Sequence, residues 1–398
     1  FPGYDSFGFI SIASIENYDQ DEAYPNVRGM RGGARLFQVL ERNLADRGIE
    51  VLLSSPVKKL LREGERIVGI EAQISGKMTA LSAQKAVILA CGGFEASAEM
   101  QKSYWQEQDV QPVAFLGNEG DGIRMAQAVG ADLWHMWHYH GTYGVKHPDP
   151  KYPFAIRLAR LPDWLSGHGF PENNAFATGS KSDQPRMPWI VLDKNGRRFM
   201  NEYPPYLQDT GHRAMAHYNP DTQNYPRIPA WLVLDDEGRQ LFPLGMPSYH
   251  QEGVSFEWSE DNKVEIEAGI LHQASSLEEL SQKTGIALAV LKQSIEDWNE
   301  CCKNGLDEEF GRPSETMMAI KKPPFVFAEL WPIVSNTQGG PVHDDKNQVL
   351  NPFGEAIPGL YAAGELGSLF GHLYLSGGNI AECFIGGKIA GENAAAES

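Results

Sequence analysis

The sequence predicts an α/β fold in which a sheet domain is interrupted by an α+β insertion, and three observations carry that reading. Lys85–Ala90 (KAVILA) and Gly359–Ala363 (GLYAA) are short apolar runs that each end in glycine. Such runs suit buried strands of a sheet covered on both faces. Between them, from His135 to about Trp331, Trp, Tyr, Pro and His become dense and the helix–strand alternation breaks down. Finally, Gly377-Gly378 opens a helical stretch, Asn379–Ala396, directly downstream of the second run. The expected organisation is residues 1–140 and 335–398 for the two parts of the sheet domain, with 141–334 as the cap.

Taken in order, Arg35–Arg47 has helical spacing, with Leu36, Val39, Leu40 and Leu44 on one face and Gly48 as its stop. Ile49–Leu53 reads as a strand. Val57–Leu61 and Ile67–Ala72 read as two more, around the charged turn Arg62–Arg66. Asp121–Val129 is a short amphipathic helix closed by Gly130. Inside the cap, Arg186–Met200 reads as a hairpin whose Asn195-Gly196 predicts a type I′ turn. Leu277–Asn299 carries two helices.

Composition narrows the function classes. At 398 residues the chain is long enough for two domains, and 42% apolar residues is ordinary for a globular enzyme. A formal charge of −18 argues against a nucleic-acid partner, which needs clustered Lys and Arg. There is no run of eighteen apolar residues to cross a membrane. Four cysteines, two of them adjacent at Cys301 and Cys302, do not make a disulfide scaffold. A reduced, cytoplasmic setting is expected. The chain opens on Phe1 in what reads as mid-fold. His135, His138 and His140 sit too close together on one segment for a tetrahedral metal site, so no metal is expected there.

The run from Ile357 to Ala396 places a strand, then Gly364-Glu365, then a glycine pair at a helix start. Backbone N–H groups at Gly378, Asn379 and Ile380 suit an anionic or polar ligand there. This run resembles the C-terminal flavin-binding segment of the fumarate reductase and 3-ketosteroid Δ1-dehydrogenase superfamily. Three further stretches match in the same order: Ser55-Pro56-Val57 with Val68–Glu71, Ile88–Phe94, and Gly117–Ile123. The resemblance implies a Rossmann-like FAD-binding domain with a capping domain. It implies that Val57 meets the adenine, and that Gly92 and Gly93, with Ala90 ending the strand before them, meet the nucleotide. Asp121 would flank the cofactor and Glu365 would reach its ribityl chain. The superfamily's Gly-rich strand–turn–helix is not found, since no G-x-G-x-x-G occurs in the sequence. An N-terminal segment or a separate chain is therefore expected to complete the FAD site, and this chain alone should be colourless.

Active-site motifs separate the two branches. Fumarate reductases carry an Arg shortly after Asn-Glu, a His before Thr-x-Gly-Gly and an Arg before the last Gly-Gly-Asn. Here Asn201-Glu202 is followed by Tyr203-Pro204-Pro205-Tyr206, Ser335-Asn336 precede Thr337-Gln338-Gly339-Gly340, and Leu375-Ser376 precede Gly377-Gly378-Asn379. The ketosteroid dehydrogenase pattern matches Asn201, Glu202, Pro205 and Tyr206, and then Tyr374 and Gly378. That resemblance implies Tyr206 as the proton-transfer residue beside a substrate carbonyl, with the Tyr374 O–H and Gly378 N–H on the carbonyl oxygen. A third tyrosine of the family corresponds to Tyr4, Tyr18 or Tyr24. The expected activity is hydride and proton transfer across a C–C bond next to a carbonyl, on a small-molecule ketone or enone of steroid-like size. Asn379 departs from the ketosteroid pattern and leaves the steroid itself open. The alternatives are a reductase of an unsaturated carboxylate anchored by Arg213 or Arg157, and a flavin subunit or inactive fragment that relays electrons to a partner.

Overall fold

The structure is a computed structural model that describes residues 31–107, 109–158, 186–203, 211–246, 248–251, 254–371 and 378–397. It is a mixed α/β chain. Helix α1 (Arg31–Asp46) is followed by an antiparallel meander of β1 (Val57–Glu63), β2 (Arg66–Ile74) and β3 (Lys77–Ser82). Two-residue hairpins set its register. Gly64 at φ 59° opens one, and Ser75 and Gly76 at φ 49° and 79° form the other in the type I′ sense. Ile49–Leu53, expected as a strand, joins no sheet among the described residues. All five residues are exposed, and without a partner strand extended backbone is not held.

Strand β4 (Val87–Leu89) leads through the Gly92-Gly93 turn to α2 (Ala98–Tyr104), β5 (Gln111–Pro112), α3 (Asp121–Ala128) and β6 (Leu133–Trp134). Ser97 caps α2 by accepting from Met100 N. The expected burial of β4 on both faces is only half right, because Ile88 is 39% exposed. Strand β7 (Tyr139–Lys146) comes next, followed by β8 (Ala155–Arg157), β9 (Ile190–Leu192), β10 (Ala230–Leu234) and α4 (Asp236–Arg239). Next come β11 (Ser248–Gln251), β12 (Val254–Phe256), α5 (Lys263–Glu267), β13 (His272–Ala274), α6 (Leu277–Thr284) and α7 (Leu288–Asn304). The turn after β9 corrects the type I′ expectation. Only Gly196 is left-handed (φ 86°), and Asn195 is not, so a four-residue turn is closed by a glycine.

Strand β14 (Phe325–Thr337) is thirteen residues long and ties the molecule together. Its first half pairs with β10 and β13, and its second half with β7 and β5. Val334 faces Gly141 across that pairing, so the expected boundaries at 140/141 and 334/335 lie on neighbouring paired strands. One apolar cluster packs Trp189, Val191, Leu232 and Leu330 on one face of the sheet shared by β9, β10 and β14. Another packs Ile190, Leu192, Val233 and Phe327 against Leu280, Leu291, Ile295 and Trp298 of α6 and α7. The alternation of Ile190, Val191 and Leu192 between the two clusters is the period-2 signature of a strand covered on both sides.

The chain returns through β15 (Gly340–Pro341), β16 (Gln348–Leu350) and β17 (Ala356–Ala362) to helix α8 (Gly378–Ala396). Strand β17 pairs in parallel with β4, which brings the ends of the two glycine-terminated runs side by side. Among the described residues no helix is long and apolar enough to cross a membrane.

Candidate active site

The site forms where β4, β14 and β17 end together. Gly92 has φ 75°, a left-handed backbone that favours glycine. Gly93 is fixed by crowding instead. A Cβ there would collide with Thr337 Oγ1 and sit 2.7 Å from Glu365 Oε1 and 3.1 Å from Glu95 Oε2. Thr337 holds the turn from β14, accepting from Phe94 N at 3.2 Å through its hydroxyl. Its own N–H donates to Glu365 Oε1 at 2.8 Å. Asn118, in the loop before α3, donates to Glu95 Oε1 at 2.6 Å.

The expected cofactor residues take the following places. Ala90 is exposed at the end of β4, Val57 is half-buried at the start of β1, and Asp121 is exposed in the first turn of α3 behind Gly120 (φ 82°). Gly93 and Glu365 are brought into contact distance. Gly378 and Asn379 begin α8, and Glu382 one turn on accepts from Ser368 Oγ at 2.7 Å and Leu369 N at 2.6 Å. Asn379 Oδ1 and Glu95 Oε2 are buried oxygens with no partner among the described residues. Ile380, Phe384 and Ile385 stand exposed on the same helix. A positive-φ glycine, a glycine with no room for a side chain, a helix N-terminus and unsatisfied oxygens are what a long polar cofactor with sugar hydroxyls requires. The residues present fit FAD. Tyr206, Tyr374, Tyr4, Tyr18 and Tyr24 lie outside the described residues.

A second polar group lies beside this turn, where β7 and β14 pair around the irregularity at Ser335. Arg213 NH2 donates to His138 Nε2 at 3.4 Å, so that nitrogen accepts. His140 Nε2 lies 3.2 Å from the same nitrogen. His140 Nδ1 accepts from Gln338 Nε2 at 2.8 Å. Burial, then Arg213 and His212, push His140 down to about 3. His212 donates from Nδ1 to Gly141 O at 3.0 Å and stacks on Tyr139; burial pushes it down to about 4. Both rings are neutral near pH 7. Arg157 donates to Ser335 Oγ in the same neighbourhood. The cluster thus combines two guanidiniums with neutral imidazoles, a setting that attracts an anion or a polarised carbonyl.

Sequence reasoning left Glu95, Asn118 and Gln338 out of the site. Their only local signal is adjacency to Gly92-Gly93, Asp121 and Thr337, and only the pairing of β4 with β17 and the run of β14 bring them together. Glu202, noted as a motif residue, is wholly buried and serves the structure. It accepts from Arg198 Nε at 2.9 Å and NH2 at 2.7 Å, and from Val191 N at 3.1 Å.

Comparison with known proteins finds relatives along most of the chain. The chain is 29% identical to the 3-oxosteroid 1-dehydrogenase of Mycolicibacterium smegmatis, over 93% of this chain and 63% of that protein. It is 27% identical to the NADH:acrylate oxidoreductase of Vibrio harveyi, over 91% of this chain and 32% of the relative. The crystal structure of 3-ketosteroid delta1-dehydrogenase from Sterolibacterium denitrificans in complex with 1,4-androstadiene-3,17-dione superposes with a TM-score of 0.73 at 26% identity, covering 90% of this chain and 62% of that one. The chain therefore spans less than two thirds of the length of these relatives. The FAD binding domain family matches residues 20–156 and 159–380. With most of its length inside that match, the chain belongs to the FAD binding domain family.

Proposed function

We propose that this chain forms the larger part of an FAD-dependent oxidoreductase that moves a hydride and a proton across a C–C bond next to a carbonyl. The observation that carries the reading is the meeting of Gly93, Thr337 and Glu365 at the ends of β4, β14 and β17. In this reading Val57, Ala90, Gly92, Gly93 and Asp121 contact the nucleotide half of FAD. Glu365, Gly378, Asn379 and Ile380 contact the ribityl and ring portion. Bound FAD supplies the hydride acceptor or donor. Because no G-x-G-x-x-G occurs in these 398 residues, the pyrophosphate seat is assigned to polypeptide outside them, covalently continuous or separate. An electron-transfer partner re-oxidises or re-reduces the whole protein.

Tyr206 moves the proton at the carbon beside the carbonyl. The Tyr374 O–H and the Gly378 N–H hold the carbonyl oxygen as it gains enolate character, a form of stabilisation worth several kcal/mol. In the reductive direction the same tyrosine donates the proton. The likeness to the 3-oxosteroid dehydrogenases supports a cyclic ketone of that size. Replacing Tyr206 by Phe in the complete, FAD-loaded protein should abolish turnover and leave FAD bound. Retained turnover would remove Tyr206 from the mechanism.

A second reading is favoured by one feature, the pair of guanidiniums at Arg213 and Arg157 in the polar cluster. It makes the substrate an unsaturated, aromatic or small carboxylate, as in the relative named for acrylate. Flavin re-oxidation by such acids, compared with enones, separates the two.

A further inference from the structure

Two carboxyl groups flank Gly93, and the proposed reaction uses neither of them. Glu95 is 1% exposed, and its Oε1 accepts from Asn118 Nδ2 at 2.6 Å. Its Oε2 has no hydrogen-bond partner among the described residues and points at the Gly93 turn. Glu365 reaches the same point from β17, through the oxygen that accepts from Thr337 N. No Lys, Arg or His among the described residues forms an ion pair with either carboxyl. Among the described residues two thiols lie close by, and Cys383 interacts with Glu365. Cys383 of α8 lies by Gly364, and Cys91 lies between Gly92 and the Asp121 end of α3; burial raises both, so both are neutral near pH 7.

Two buried carboxylates whose oxygens come within 2.7 Å and 3.1 Å of one point at Gly93, with no ion-pair partner among the described residues, cannot both stay ionised at low cost. A shared proton removes the repulsion and gives the orphaned Oε2 a partner. We propose that Glu95 and Glu365 hold one proton between them at neutral pH, which makes Glu95 a positioning residue that presents Glu365 to the cofactor's sugar hydroxyls in its neutral form. The direction of each group agrees. Burial raises Glu365 well above the usual carboxylate range and Glu95 adds to it, while burial raises Glu95 with Asn118 pulling the other way. A neutral carboxyl offers one donor and one acceptor, the complement of a sugar hydroxyl, whereas two carboxylates offer acceptors alone.

The inference rests on the reading of Glu365 as a sugar contact, but its test needs no cofactor. Infrared spectroscopy of the chain, titrated from about pH 4 to about pH 9, should show a protonated-carboxyl C=O band surviving at neutral pH. In E95Q and in E365Q the remaining carboxyl, freed of its neighbour, should ionise at least about one pH unit lower, so the band is lost at neutral pH. N118A, which removes the donor that favours the Glu95 charge, should move the midpoint up and serves where E95Q does not fold. No such band at neutral pH in the wild type, or a midpoint unchanged in these variants, overturns the shared proton. Either failure leaves the Tyr206 reading untouched. In the FAD-loaded protein, FAD affinity should fall as pH rises through the same midpoint, and E95Q should shift that midpoint with it.

Discussion

Arg198 grips Glu202 through two parallel hydrogen bonds, Nε to Oε1 at 2.9 Å and NH2 to Oε2 at 2.7 Å. Glu202 is wholly buried and Arg198 only partly exposed; Arg198 NH2 also meets Asp307 at 2.9 Å, and the guanidinium lies over the Trp298 ring at 4.5 Å. Arg312, wholly buried, stands 3.4 Å from Glu202 and donates to Trp189 O at 2.8 Å. Two cations and two carboxylates thus neutralise one another beside the β9–β10–β14 sheet. Burial works against the charge on Asp307, but Arg198 outweighs it and holds the carboxyl below the usual range.

Removing one member leaves a buried charge without its counterpart. E202A should therefore cost about 3–5 kcal/mol, measured by urea denaturation. Because Glu202 precedes the Tyr203–Tyr206 segment, the same variant should lower turnover more than it lowers FAD occupancy. A loss below about 1 kcal/mol would mean that water reaches the cluster.

The buried histidines set an acid limit on stability. His212 has its folded-state pKa pushed down to about 4 and His140 to about 3, both below the ordinary value of 6.5. The unfolded chain then takes up protons more readily than the folded one. Stability is complete above about pH 6.5 and falls as pH drops toward the folded values, by about 3 kcal/mol for His212. Melting temperature followed from about pH 7 down to about pH 4 should show this slope, and H212N should flatten part of it. Identical slopes in the two proteins would show that His212 is not the group titrating.

Gly93 offers the sharpest structural test of the site. Any side chain there meets Thr337 Oγ1, so G93A must push β14 away from the turn or displace Glu365. Overpacking of this kind typically costs about 1–3 kcal/mol. G93A/T337S, which keeps the hydroxyl, should not recover stability, while G93A/T337A should recover part of it. Recovery in neither variant would place the obstruction at the Glu365 side.

How much of this was legible beforehand follows physical lines. Helices α1 and α3 announced themselves through amphipathic spacing and the glycine stops at Gly48 and Gly130, whose φ values are 62° and 95°, and α8 through the glycine pair that opens it. Strand β14 did not, because it is buried nearly throughout, so it lacks alternation, and it carries Pro332 in its middle. Ile49–Leu53 misled in the opposite way, since a strand-like sequence still needs a neighbour. Gly92, Gly93 and Glu365 were readable from motif order. Glu95 was not, because its meaning depends on Asn118 and Glu365, distant in sequence and joined only by the fold.

Arg213 decides between the two substrate readings. Its guanidinium lies 3.4 Å from His138 Nε2, beside the neutral rings of His140 and His212, and brings positive charge to the cluster. A substrate carboxylate would use that charge; a neutral ketone would not. R213Q in the complete FAD-loaded protein should raise KM for unsaturated carboxylates at least about tenfold, or 1.4 kcal/mol, and change KM for cyclic enones by no more than about twofold. Equal effects on both classes would show that Arg213 supports the fold of the cluster rather than the substrate. Loss confined to enones would reverse the assignment and place the carbonyl oxygen, not a carboxylate, beside His138.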